Sequence, residues 1–142
     1  MHAKYQHGFS LIEILVVIAI LGILLSIGAF NLNTYTQQQR LNEAARTLGE
    51  TLRQIGHDAM NESQEMILSQ TTNQNQLSWQ DETATSFQQI LPYNITVSAQ
   101  VPAGNITFTG RGFPVLGYSF TLTLNSKTKV VNLLPTGAVI YP

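Results

Sequence analysis

A carboxylate stands near the start of the apolar run HGFSLIEILVVIAILGILL, His7 to Leu25, four residues after a Gly8-Phe9 junction. An ionised acid well inside a bilayer costs about 2.5–3.5 kcal/mol on insertion scales, so Glu13 needs a reason to be there. Two chemistries offer one. Ser10-Leu11-Ile12-Glu13 has the S-x-x-E spacing of a capping box, and an acid in the first turn of a helix is favoured by the dipole. The other begins with proteolysis. A cut between Gly8 and Phe9 creates an α-amino group at Phe9, one helical turn from Glu13. In low dielectric that ammonium can pair with the Glu13 carboxylate of its own or a neighbouring chain, and so set the register of packed helices. Glycine suits the cut because it enters a protease cleft without a side chain. Capping alone leaves the Gly-Phe junction and the basic leader unexplained, so the ion pair is the favoured reading.

Other residue patterns offer little chemistry. His57 and Asp58 are adjacent on a helix, so their side chains diverge by roughly 100° and cannot act as base and orienter. No Gly-x-Ser-x-Gly, His-Glu-x-x-His or phosphate-cradling glycine loop occurs, and no catalytic residue is assigned. Thr109-Gly110-Arg111-Gly112 reads as a strand-ending turn. Cysteine is absent, and outside the leader pair His2 and His7 only His57 remains, so no metal site or cofactor is expected. Asp58, Asp81 and Glu82 are oxygen donors that calcium could use, but no loop has EF-hand spacing. Trp79 reads as a packing aromatic. The net charge is −1, which gives no global basic field for nucleic acid.

The elements that would position Glu13 come next. Charged residues are only 11% of the chain, against 44% hydrophobic. At about 1.5 Å per residue, a helix from Phe9 to Phe30 reaches roughly 33 Å, the thickness of a hydrocarbon core. A secretory signal has a shorter apolar core followed by a small-residue cleavage site, so this run reads as an anchor. Lys4 lies in the leader and the next basic residue is Arg40, which places the leader in the cytoplasm and the rest outside it. Gly22-x-x-x-Ser26 offers a small-residue face for close helix approach.

Beyond the anchor, Leu41, Ala45, Leu48, Leu52, Ile55 and Ala59 form one apolar stripe, with Arg40, Glu43, Arg46, Glu50 and Arg53 mostly off it. The stripe fits burial on a sheet of the same chain, with a short coiled-coil seam as the alternative, and the helix is expected to end near Met60-Asn61. The period then changes to 2. Glu65–Ser69 and Gln76–Gln80 read as short strands, and residues 80–89 as a loop. Tyr93, Ile95, Val97, Ala99 and Val101 alternate with polar residues as a half-buried strand. Ile106 with Phe108, then Tyr118 to Leu124, Lys129–Leu134 and Ala138–Tyr141 follow, with turns between them. The expectation is an α+β fold: a long N-terminal helix, membrane-spanning in its first half, packed on a C-terminal antiparallel β-sheet.

Residues KYQHG followed by FSLIEILVVIAILGILLSIGAF closely resemble the prepilin signal of type IV pilins and type II secretion pseudopilins. The resemblance covers about Lys4 to Phe30. It implies that a prepilin peptidase cuts after Gly8 and methylates Phe9, and that Glu13 is the assembly residue. It also implies an inner-membrane assembly platform, other pilin or pseudopilin subunits and membrane lipid as partners. Topology follows as inner membrane, single-pass, with a periplasmic C-terminal domain. The division is then a leader at 1–8, a transmembrane assembly helix at 9–30, the periplasmic half of the helix at 31–60 and an antiparallel β domain at 61–142. Unlike many major pilins, the chain has no proline before Pro92, so any local melting would depend on Gly22 and Gly28. Ile106-Thr107-Phe108, Gly110, Gly112 and Gly137-Ala138-Val139 are similar to the GspH/FimT type of pseudopilin, in which a basic residue often stands where Ala138 does.

The leading expectation is a minor pilin or pseudopilin of a type II secretion pseudopilus or a type IV pilus. The alternative is a DNA-binding minor pilin acting in natural transformation. Only Arg111, Lys127 and Lys129 are available in the C-terminal half as DNA contacts, and three phosphate contacts would be weak and salt-sensitive. An enzyme tethered by an uncleaved anchor is the third class, and has the least support.

Overall fold

The computed structural model describes residues 9–142, except for the side chains of residues 27–31. The leader, with Lys4 and Gly8, lies outside the described residues. One α-helix, α1, runs unbroken from Leu11 to Glu62, passing through Gly22 and Gly28. It serves two compact units, one reaching to Thr36 and one from Gln37 to Pro142. Among the described residues, no helix is long and apolar enough to cross a membrane. The expected span to Phe30 runs across side chains that are not described.

In the second unit the apolar stripe of α1 is the spine of the core. Leu41, Ala44, Ala45, Leu48, Leu52, Ile55 and Ala59 are all buried. They pack in one cluster with Met66, Leu77, Phe108, Phe120, Leu122 and Val131 from the strands, so the stripe meets a sheet of its own chain and not a coiled-coil partner. The helix stops because Ser63 turns left-handed (φ 54°) and the Gln64 N–H reaches back to the Ala59 carbonyl at 3.1 Å, a Schellman closure.

Eight strands follow: β1 Met66–Leu68, β2 Gln76–Gln80, β3 Ser86–Ile90, β4 Thr96–Val101, β5 Ile106–Phe108, β6 Tyr118–Leu124, β7 Lys127–Leu133 and β8 Val139–Ile140. They form two antiparallel four-stranded sheets, in the orders β3-β2-β1-β5 and β4-β6-β7-β8, rather than the single sheet expected. Strand order is a matter of long-range pairing, on which alternation is silent.

Two local expectations also change. Residues 86–90, all but the last expected in a loop, form β3 through full pairing with β2, from Gln76 opposite Ile90 to Gln80 opposite Ser86. All five residues of β3 are exposed, so the strand leaves no hydrophobic period to detect. The strand expected from Tyr93 starts later, because Pro92–Asn94 makes a single 3-10 turn with Tyr93 at φ 59°. Further along, a bulge between Val97 and Ala99 shifts the pairing with β6. Ile95 and Val97 point inward as expected, but beyond the bulge Gln100 is buried and Val101 exposed. The buried amide is fully used. Its Oε1 accepts from the Thr71 N–H (3.0 Å) and hydroxyl (2.7 Å), and its Nε2 donates to the Gly104 carbonyl (2.6 Å).

Candidate assembly site and basic clefts

The first turn of α1 is set by Ser10. The Glu13 N–H donates to the Ser10 hydroxyl at 3.3 Å, and the first helical bond runs from the Ile14 N–H to the Ser10 carbonyl. Half of the capping box is therefore built. It fixes the main chain of Glu13 and leaves its carboxylate on the surface, in a shallow groove with Phe9, Ile14, Val17 and Ile18. These positions recur at helical spacing on one face, and Phe9 and Glu13 both line the groove.

The apolar side chains around this groove are exposed. Phe9 is 79% exposed, Leu25 73%, and the Leu, Ile and Val residues between them are exposed as well. Gly22 has no atom within 4 Å of where a Cβ would stand. The Ser26 hydroxyl donates back to the Gly22 carbonyl at 2.8 Å, which satisfies it inside the helix.

In the second unit basic residues line two clefts. Arg111 lines a cleft with Arg53 and His57, while Lys129 lines a separate one with Asn42, Arg46 and Tyr141. Lys127 stands at the start of β7, after the Asn125-Ser126 turn. Arg111 and Lys129 thus line different clefts. Arg111 sits in the expected strand-ending turn, closed by the Gly112 N–H donating to the Thr109 carbonyl at 2.7 Å.

His57 is paired by an Asn61 side chain (2.9 Å) and not by a carboxylate. Asp81 accepts from the Thr83 hydroxyl (2.7 Å) and the Thr85 N–H (2.8 Å), and these bonds hold its carboxyl below the usual range. Glu82 accepts from the Glu65 N–H at 3.1 Å. Among the described residues, no group of three or more His, Asp or Glu is placed to hold a metal ion. Trp79 is a packing residue, its ring stacked on Phe87 with centroids 5.8 Å apart.

Sequence reasoning missed the glycines that dock the helix. A side chain at Gly49 would run into Tyr141, and one at Gly56 into the Gly112 carbonyl. Their signal was available, since glycine inside a helix costs about 1 kcal/mol and two of them stand seven positions apart beside the stripe.

The prokaryotic N-terminal methylation motif matches residues 3–29. No curated protein matches the chain in sequence. The fold is similar to that of the type IV minor pilin FimU of Pseudomonas aeruginosa, with a TM-score of 0.59 and 16% identity over 76% of this chain and 92% of that one. It is also similar to the minor pseudopilin EpsH of the type 2 secretion system of Vibrio cholerae, with a TM-score of 0.56 and 10% identity over 72% of this chain and 96% of that one. A prepilin-type methylation motif thus stands at the head of a chain with the fold of minor pilins and pseudopilins.

Proposed function

We propose that the chain is a minor pilin or pseudopilin, a structural subunit that enters a type IV pilus or type II secretion pseudopilus through its N-terminal helix. A prepilin peptidase cuts between Gly8 and Phe9 and methylates the new terminus. The anchor at 9–30 holds the precursor in the inner membrane, with the leader in the cytoplasm and the β domain in the periplasm, until the assembly platform extracts it. In the filament the Phe9 ammonium and the Glu13 carboxylate pair within or between subunits, which fixes axial register.

The observation that carries this reading is the apolar surface of Phe9 and of α1 from Leu11 to Leu25, exposed on every side. Such a surface is stable only when lipid or neighbouring helices cover it, and a filament core supplies the second. The matching motif over residues 3–29 supports the cleavage and methylation steps. The intact mass of membrane-extracted protein tests the reading. The expected mature chain starts at Phe9 and carries one extra methyl group, whereas a chain that retains its initiator methionine would overturn it.

A further inference from the structure

The cleft between α1, the Thr109–Phe113 turn and the Thr136-Gly137 turn has a volume of about 220 Å³. Arg53 and His57 enter it from the helix and Arg111 from the turn, and no Asp or Glu lines it. The guanidinium of Arg53 makes one long bond, from Nη2 to the Val139 carbonyl at 3.5 Å, so most of its donors remain available. Arg111 and the Thr136 hydroxyl have no partner among the described residues. The cleft wall is apolar, built on buried Leu52 and Phe108, and its rim carries exposed Met60 and Phe113. Its floor is fixed by the contact of Gly56 with Gly112.

Two guanidinium groups that line one cleft from separate elements, with no carboxylate in its lining, ask for an anion from outside. The apolar rim asks for more than a bare ion, because Met60 and Phe113 lose water only against an apolar neighbour. A nucleic-acid backbone would need a track of cations, and Arg46 and Lys129 line a different cleft. We propose that this cleft binds an acidic side chain flanked by apolar residues on a partner protein. The carboxylate bridges Arg53 and Arg111, and the flanking side chain rests on Met60 and Phe113.

The test uses the full chain, nitrogen-15-labelled in detergent micelles, with acetyl-Leu-Glu-Leu-amide as probe and its Leu-Gln-Leu counterpart as neutral control. The Nε–H signals of Arg53 and Arg111 should shift saturably with the glutamate peptide. Affinity should fall roughly tenfold for the glutamine peptide, as expected for losing a charge-assisted bond. It should fall similarly in Arg111→Gln and hold in Arg46→Gln, which controls for net charge. Equal binding of both peptides, or no saturable shift, would overturn the proposal. So would a short oligothymidylate that binds more tightly than the peptide and depends on Arg111, which would assign the cations to nucleic acid. The measurement reads the unassembled chain, so its outcome is separate from whether the protein enters a filament.

Discussion

The Gly112 carbonyl oxygen lies 2.6 Å from the point where a Cβ on Gly56 would stand, and a Cβ on Gly112 would fall 2.5 Å from the Gly56 carbonyl. Backbone meets backbone, with no flexible side chain to yield. Gly56→Ala should therefore separate the helix from the Thr109–Phe113 turn and lower stability by about 1–3 kcal/mol, read by thermal or urea unfolding. Gly22→Ala is the contrast. It meets nothing within 4 Å, so unfolding of the second unit should be unchanged.

Glu13→Ala should leave membrane insertion and cleavage intact while removing the subunit from filaments. Fractionation and N-terminal mass separate these steps. Normal incorporation of the substituted subunit would refute the ion-pair role.

Gln100 is a buried amide that holds the Thr71 loop and the Gly104 turn together. Gln100→Leu keeps the volume but leaves the Thr71 N–H and hydroxyl and the Gly104 carbonyl without their partner. The expected loss is about 3 kcal/mol, measured by urea unfolding, against a small effect for the exposed Val101→Thr.

Asp81 supplies a pH dependence. Its carboxyl is held below the ordinary value, first by the Thr83 hydroxyl. A depressed carboxyl stabilises the fold above its unfolded value of about 3.9, and that contribution disappears as pH falls through the folded value. Melting curves of the wild type and Asp81→Asn should therefore differ at neutral pH and converge in acid.

Tyr93 works in the opposite direction. Its hydroxyl donates to the Glu43 carboxylate at 2.6 Å, which raises its ionisation above the usual tyrosine range, while Arg40 lies over the ring at 5.2 Å. The bond is fully present below the unfolded value of about 10 and is lost as pH rises through the folded one. An ultraviolet phenolate titration of Glu43→Gln should show one tyrosine ionising at lower pH than in the wild type.

The helix was legible because its period is written in one continuous segment: Leu41 to Ala59 repeats at helical spacing, and every member of that stripe is buried. The β6–β7 hairpin was legible for the same reason, with Tyr118, Phe120 and Leu122 alternating inward. What escaped depends on partners elsewhere in the chain. SFQQI has no apolar alternation and becomes a strand only because β2 pairs with it. Arg53 and Arg111 share a cleft that neither local pattern announces.

The bulge at Val97 and Ala99 bears on how a gene for this fold can change length. Ser98 is the extra residue, and its hydroxyl fills the gap by donating to the Thr121 carbonyl at 3.0 Å. Loss of the Ser98 codon would leave Val97 and Gln100 on the inner face, because the pairing on either side already skips it. Loss of the Thr121 codon, in the regular pleat of β6, would turn every later side chain of that strand to the opposite face, Leu122 outward among them. Indels among descendants of this sequence should therefore collect at the first position and be purged at the second.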